Sequence, residues 1–268
     1  MILFLGNIGD QSFYLFLKLF IPMNKVAIVT GAGTGVGKAT AVKLSDAGFS
    51  VILIGRRKDK LEETKRVCND QALVFPMNVS NELDVKKCFE MIEKNFSRID
   101  LLFNNAGTFL SSKTIDEINF SEWKEVIEVN INGMFLFSKH AFSLMKNQSP
   151  MGGRIINNGS VSSITPRPGS IAYTATKHAV TGMTKSLALD GRPFNIVCSQ
   201  IDIGNADTPM TEGIKKGIIQ ADGSIKKEPT FDPEHIADAV LHLVGLPLDT
   251  NILNMTIMAS NMPFIGRG

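Results

Sequence analysis

Tyr173 and Lys177 stand four positions apart in the stretch SIAYTATKHA, in a chain of 268 residues with only two tyrosines. On a helix, residues i and i+4 share a face, so a phenol and an ammonium at this spacing project side by side. A free phenol loses its proton at about pH 10, too high for a base at neutrality, and an ammonium beside it favours the phenolate. Bringing a phenol into the neutral range takes about 4 kcal/mol of differential interaction, within reach of close positive charges shielded from water. Such a pair can give a proton to an alcohol oxygen or take one from it. A lone Y-x-x-x-K also describes an exposed amphipathic pair, so its company decides the reading.

That company is polar and well spaced. Ser160 lies thirteen residues before Tyr173, at the end of the apolar run RIINNGS (154–160), with Ser162 and Ser163 as close competitors. A hydroxyl there could orient a substrate oxygen and share its proton. Asn104 and Asn105 close another apolar run in NNAG. Asn130 falls between Val129 and Ile131 inside a helical stretch. Mid-helix asparagine is usually unfavourable and solvent-facing, so apolar neighbours imply a polar partner or an ordered water.

A glycine-rich loop, Thr30-Gly31-Ala32-Gly33-Thr34-Gly35-Val36-Gly37, follows the run KVAIVT (25–30) and opens a helix. Glycines let the chain turn sharply and bring backbone N–H groups close to a pyrophosphate, and the helix N-terminus adds partial positive charge. A merely tight strand-to-helix turn would also be glycine-rich, but a full βαβ context favours dinucleotide binding. Gly55-Arg56-Arg57 ends the second apolar run. No carboxylate stands there to bind a ribose 2′-OH or repel a 2′-phosphate, and guanidiniums pair bidentately with phosphate. NADP is therefore favoured over NAD. The competing reading makes Arg56 and Arg57 solvated charges, or stacks Arg56 on adenine. With a nicotinamide ring nearby, the Tyr173–Lys177 pair could exchange the alcohol proton while a hydride moves to or from the cofactor.

The elements that must position these groups alternate. Apolar runs at 25–30, 51–54, 72–75, 100–103, 154–160, 195–200 and 255–258 read as strands. Helical patterns fall between them at 36–47, 58–68, 81–95, 121–146 and 171–190, and a last helix has Asp232 as N-cap and Pro233 at its first position. Alternation of this kind over residues 23–268 predicts an α/β fold, a doubly wound parallel sheet covered on both faces. Residues 203–231 lack a periodic pattern and follow a late strand, where ligands bind in such folds. They are the expected substrate lid, with Met210, Ile214, Ile218 and Ile219 as candidate apolar lining.

The remaining composition narrows the function. A net charge of +2 and the absence of long basic runs argue against a nucleic-acid partner. Cys68, Cys88 and Cys198 are scattered, which suits core thiols in a reducing, cytoplasmic setting and no metal site. Residues 1–22 are apolar and aromatic but interrupted by Asp10 and Lys18, too short a clean run to span a bilayer. They fit a loosely attached extension or an upstream start with the natural one at Met23 better than an interfacial membrane anchor, and no clear membrane partner is expected.

From about Lys25 onward the chain resembles the classical short-chain dehydrogenases/reductases. The residues carrying the resemblance are T-G-x-x-x-G-x-G at Thr30–Gly37, N-N-A-G at Asn104–Gly107, Asn130, Ser160 and Y-x-x-x-K at Tyr173–Lys177. It implies a single-domain Rossmann fold with about seven strands and a catalytic tetrad. In that tetrad Tyr173 is the acid/base and Ser160 binds the substrate oxygen. Lys177 serves the nicotinamide ribose and the tyrosine, and Asn130 holds a relay water. It also implies cofactor contacts from the glycine loop, Arg56, Arg57, Asn78, Val79, Asn105, Ala106, Gly107, Ile203 and Thr208. Homodimers or homotetramers packed through the long helices are implied too. Two departures stand out. Asn78 replaces an aspartate that meets the adenine amino group, though an amide can still accept that bond. Ser199-Gln200 stand where the family has Pro-Gly after the sixth strand, with the following threonine displaced to Thr208. The expected activity is hydride transfer between NADP(H), or NAD(H), and a small-molecule carbonyl or alcohol. Extended-subfamily dehydratases and epimerases have a different glycine spacing. A catalytically silent dinucleotide sensor or scaffold would not need an intact Asn130, Ser160, Tyr173 and Lys177.

Overall fold

A computed structural model describes residues 25–110 and 112–265 of the chain. Residues 1–22, read above as an extension, lie outside them. The first apolar run forms β1 (Val26–Thr30), buried along its whole length. It leads through the glycine loop into α1 (Gly35–Asp46) and then β2 (Ser50–Gly55), α2 (Lys58–Lys65), β3 (Leu73–Pro76), α3 (Glu82–Phe96) and β4 (Leu101–Asn104). The second half contributes α4 (Phe120–Ile127), α5 (Met134–Asn147), β5 (Gly153–Asn158), α6 (Ile171–Asp190) and β6 (Ile196–Ile203). After it come α7 (Glu212–Lys216), the short strands β7 (Ile218–Ile219) and β8 (Ile225–Lys226), α8 (Glu234–Gly245) and β9 (Asn254–Ile257).

Seven strands make one sheet in the order β3-β2-β1-β4-β5-β6-β9, every neighbouring pair parallel. The chain winds outward from β1 through β2 and β3, then returns to the other side of β1 for β4. At that reversal the loops after β1 and β4 part in opposite directions and leave a crevice at the carboxyl ends of the strands. Both sheet faces are covered, as the continuous apolar runs require. Ala27 and Val29 face a layer with Leu44 of α1 and Ile236, Val240 and Leu243 of α8. Val26 and Ile28 face the opposite layer with Phe89 and Ile92 of α3 and Phe137 and Met145 of α5. Fully burying a side chain of this kind contributes roughly 1.5–3 kcal/mol. The site therefore sits on a stiff platform.

Four expectations are corrected at this level. The long helix read over 121–146 is two α-helices joined by a π-turn, Glu128–Gly133. Asn130 is bound there to the loop after β4, and Gly133 allows close packing, since a Cβ on it would lie 2.6 Å from Val79 Cγ2. The fifth strand ends at Asn158 rather than at Ser160, which instead opens a 3₁₀ turn, Val161–Ser163. The sixth strand continues past Gln200 to Ile203, because Gln200 and Asp202 have buried polar partners where the alternation demands apolar side chains. Ser199-Gln200 are thus mid-strand, and the residues at the strand exit are Ile203-Gly204. The reading that put Ser199-Gln200 in the place of Pro-Gly, and treated Thr208 as displaced from it, falls with that boundary. Finally, α8 starts at Glu234, one residue after the expected Pro233, although Asp232 does cap it: its Oδ1 accepts from Glu234 N–H at 2.9 Å.

Candidate active site

The crevice at the reversal is a cavity of about 630 Å³. The glycine loop forms its floor. Gly35 has φ +54°, and a Cβ on Gly37 would stand 2.2 Å from the Gly31 carbonyl oxygen. Side chains are excluded there, and the first helical N–H groups of α1 are left to face the cavity. The Thr34 side chain makes no capping bond, and the first turn of α1 holds no acidic residue. An anion can bind in that place. Arg56 and Arg57 line the same end, with Arg57 Nη2 donating to Thr34 Oγ1 at 3.3 Å.

Gly31, Gly33, Thr34, Gly35 and Val36 all line the cavity, with Asn78, Val79, Asn105, Ala106 and Gly107 opposite them and Ile203 and Thr208 at the exit of β6. Two expected contacts do not line it. Thr30 is buried beneath the wall, where its Oγ1 accepts from the N–H groups of Asn105 and Ala106, each at 2.9 Å. Gly37 serves the close approach of α1 to the loop after β4. Asn78 lines the cavity, but its Oδ1 already accepts from Ser80 N and Ser80 Oγ at 3.3 and 3.2 Å. The acceptor expected for an adenine amino group is therefore occupied.

Ser160, Tyr173 and Lys177 meet on the same cavity. Lys177 is 6% exposed, and its Nζ donates to the Asn158 carbonyl oxygen at 2.7 Å. The same Nζ lies 5.4 Å from the centre of the Tyr173 ring, within cation–π range. Asn158 in turn donates through Nδ2 to Asn105 Oδ1 at 2.8 Å, and Asn105 Nδ2 donates to the Thr30 carbonyl at 2.9 Å. One polar chain thus links the lysine to the glycine loop across three strand ends. Asn130 stands behind the wall. Its Nδ2 donates to the Thr108 carbonyl and Thr176 Oγ1, and its Oδ1 accepts from Thr108 N–H at 2.8 Å. Each of its polar atoms has a protein partner.

Several residues of the site carry no signal in the sequence. Asp202 is 1% exposed and accepts from Ser160 N, Ser163 Oγ and Gln200 Nε2 on Oδ1, and from Asn254 Nδ2 on Oδ2. Arg167 lines the cavity and pairs with buried Glu228 of the lid. Met210, Ile214 and Ile218 of the lid line the cavity as expected, whereas Ile219 does not. The thiols take no part: burial pushes Cys88 and Cys198 up to about 12. Among the described residues no helix is long and apolar enough to cross a membrane.

A doubly wound sheet whose switch-point crevice carries a glycine-lined helix entrance and a Ser, Tyr and Lys cluster defines a dinucleotide-dependent α/β oxidoreductase. Residues 25–218 match the family model for short chain dehydrogenases, and the chain belongs to the short-chain dehydrogenase family. It is an oxidoreductase that transfers a hydride to or from a nicotinamide dinucleotide. Its relatives include an uncharacterized oxidoreductase of Staphylococcus epidermidis, 34% identical over 233 residues, covering 87% of this chain and 96% of that one. A 3beta-hydroxysteroid dehydrogenase of Mediterraneibacter gnavus is 34% identical over 191 residues, 70% of this chain and 68% of the relative. Among solved structures, the NADH complex of 3-ketoacyl-(acyl-carrier-protein) reductase from Brucella melitensis superposes with TM-score 0.78 at 25% identity, covering 89% of this chain and 98% of that chain. A short chain dehydrogenase from Bacillus anthracis gives TM-score 0.77 at 30% identity, covering 90% and 96%.

Proposed function

We propose that Tyr173 is the acid/base of a carbonyl reductase or alcohol dehydrogenase that prefers NADP(H). The observation carrying this reading is the buried Lys177 ammonium, held by Asn158 O at 2.7 Å and lying 5.4 Å from the Tyr173 ring on the cavity that the glycine loop floors. When bound, a nicotinamide dinucleotide supplies or takes the hydride. In the reducing direction Tyr173 Oη gives its proton to the carbonyl oxygen as that oxygen gains negative charge, and the Ser160 hydroxyl donates a hydrogen bond to the same oxygen. In the oxidising direction the phenolate takes the alcohol proton. Lys177 holds positive charge beside the phenol and offers its remaining N–H groups to a ribose. Asn130 acts from behind, fixing Thr108 and so the Gly107 segment of the wall.

The N–H groups at the start of α1 would hold the pyrophosphate, and Val79 would pack against adenine. Arg56 and Arg57 support the choice of NADP, since guanidiniums pair with a 2′-phosphate and no carboxylate ends β2. Exposed Phe120 and Phe135, on α4 and α5, support homo-oligomer formation through these helices. The decisive experiment is Tyr173→Phe with NADPH and a panel of aldehydes and ketones. Turnover should fall at least ~100-fold, with cofactor affinity, read by titration of bound NADPH fluorescence, near that of the unaltered protein. Undiminished turnover removes the assignment.

A further inference from the structure

The cavity changes character along its length. Three of its cations, Arg56, Arg57 and Lys60, lie at the end of β2 and the start of α2. The segment after β4, the turn after β5 and the lid contribute Phe109, Leu110, Val161, Met210, Ile214 and Ile218. No aspartate or glutamate lines the cavity among the described residues. Two cations line this end: Lys177, already assigned to Tyr173 and the ribose, and Arg167, six residues before Tyr173.

Arg167 is already engaged. Its Nη1 and Nη2 each donate to one oxygen of Glu228 at 2.6 Å, and Nη2 also donates to Asn205 Oδ1 at 3.1 Å. Glu228 accepts further bonds from Gln220 Nε2 at 2.9 Å and Asn205 Nδ2 at 2.8 Å. It is 5% exposed and stands behind the cavity wall. A bidentate pair of this kind cancels the guanidinium charge where little water screens it. A substrate carboxylate or phosphate entering this end would compete with Glu228 for Arg167 and face a second buried anion. The alternative is to lose its hydration against apolar side chains, which is still less favourable.

Resting on the proposed carbonyl/alcohol chemistry, we infer that the substrate is an uncharged, predominantly apolar aldehyde, ketone or secondary alcohol, and that Glu228 enforces this by neutralising Arg167. Arg167 and Glu228 form a specificity-determining pair, sixty-one residues apart in the chain, that joins the lid to the turn before α6. Apolar recognition follows from the wall, and discrimination against anions follows from the pair.

The test uses two aldehydes of nearly equal size, methyl 4-formylbenzoate and the 4-formylbenzoate anion. Binding is measured calorimetrically to the full-length protein saturated with oxidised cofactor, where the aldehyde cannot be reduced, and turnover is followed separately by NADPH oxidation. The ester should bind at least tenfold more tightly and show at least tenfold higher kcat/KM. Glu228→Gln should narrow the ratio between the two at least tenfold, because Arg167 then meets the anion unopposed. The double variant Arg167→Met/Glu228→Met removes both charges and should keep the original preference, which guards against a single variant that fails to fold. Preferential ester binding with oxidation of neither NADPH nor NADH leaves charge selection by Arg167 and Glu228 standing and sinks the proposed reaction. An anion bound or reduced as well as the ester, or no binding of either, overturns the inference.

Discussion

Asp202 Oδ1 accepts a hydrogen bond from the Ser160 backbone N–H at 2.9 Å, across the gap between the exits of β5 and β6. The same oxygen takes Ser163 Oγ at 3.0 Å, so one carboxylate fixes both ends of the 3₁₀ turn that presents Ser160. The Ser160 hydroxyl completes the arrangement by accepting from Ser162 N–H at 3.1 Å. Asp202 touches no part of the cavity, so its effect on catalysis runs through Ser160. Asp202→Ala leaves these buried donors without an acceptor, at about 1–3 kcal/mol for each unsatisfied group. It should lower kcat by ~10–100-fold, the scale of a displacement of about 1 Å at a reacting group. Asp202→Asn retains one oxygen for the Ser160 and Ser163 donors and should recover most of kcat. Measuring kcat, KM and Tm for both variants checks this; equal Tm losses with kcat intact would reduce Asp202 to a stabilising role.

Arg56 and Arg57 give a second prediction, because both line the cavity at the exit of β2 and Arg57 already reaches Thr34. Charge-assisted hydrogen bonds contribute about 1.5–3 kcal/mol. Arg56→Ala should therefore raise the Kd for NADPH at least ~10-fold, while NADH, which lacks the 2′-phosphate, changes little. Parallel titrations of the two cofactors distinguish a phosphate contact from adenine stacking, since loss of stacking weakens both equally.

The legible part of this molecule is what repeats along the chain. Seven apolar runs and the helical patterns between them identify the doubly wound sheet, since its five inner strands are buried on both faces and so read as continuous runs. The glycine loop, Asn105, Ser160 and the Tyr173–Lys177 pair lie at the strand exits or helix starts where their spacing puts them. Pairwise contacts between distant segments leave no such trace. Gln200 and Asp202 break the apolar pattern of β6 and read as its end, and only Ser160, Thr181 and Asn254 show why the strand continues. The π-turn at Asn130 depends on Thr108, twenty-two residues away. Thr30 and Gly37 belong to the motif, but they pack the wall from behind.

Asn130 supplies a third prediction. Its amide satisfies both the N–H and the carbonyl of Thr108 and also meets Thr176 Oγ1, at a position 2% exposed. Asn130→Ala strands the Thr108 backbone groups, and stability should fall by ~2 kcal/mol. Gly107 is next in sequence and lines the cavity, so the KM for cofactor should rise along with the loss of stability. Urea unfolding and cofactor kinetics on the same sample test the pairing; a stability loss with unchanged cofactor KM would confine Asn130 to the helix junction.

Glu228 links the lid to pH. Burial pushes its carboxyl up, but hydrogen bonds from Arg167, Asn205 and Gln220, with the Arg167 charge, more than reverse this and hold it at about 2, below the ordinary glutamate value of 4.5. A carboxyl whose folded value is depressed stabilises the folded state fully above its unfolded value, and that contribution is lost as the pH falls through the folded one. The window is therefore pH 4.5 down to about 2, and the linkage is worth ~3 kcal/mol. Unfolding free energy measured by urea titration should fall across this window in the unaltered protein. Glu228→Gln should be less stable at pH 7, because Arg167 then keeps a buried charge without its partner, and the two curves should converge as the pH approaches the bottom of the window. The lid should loosen first, since Glu228, Gln220 and Asn205 all belong to it. Hydrogen-exchange protection factors in residues 205–231 should therefore fall at acid pH before those in the sheet do, and a uniform loss of protection across the chain would contradict a lid held by this pair.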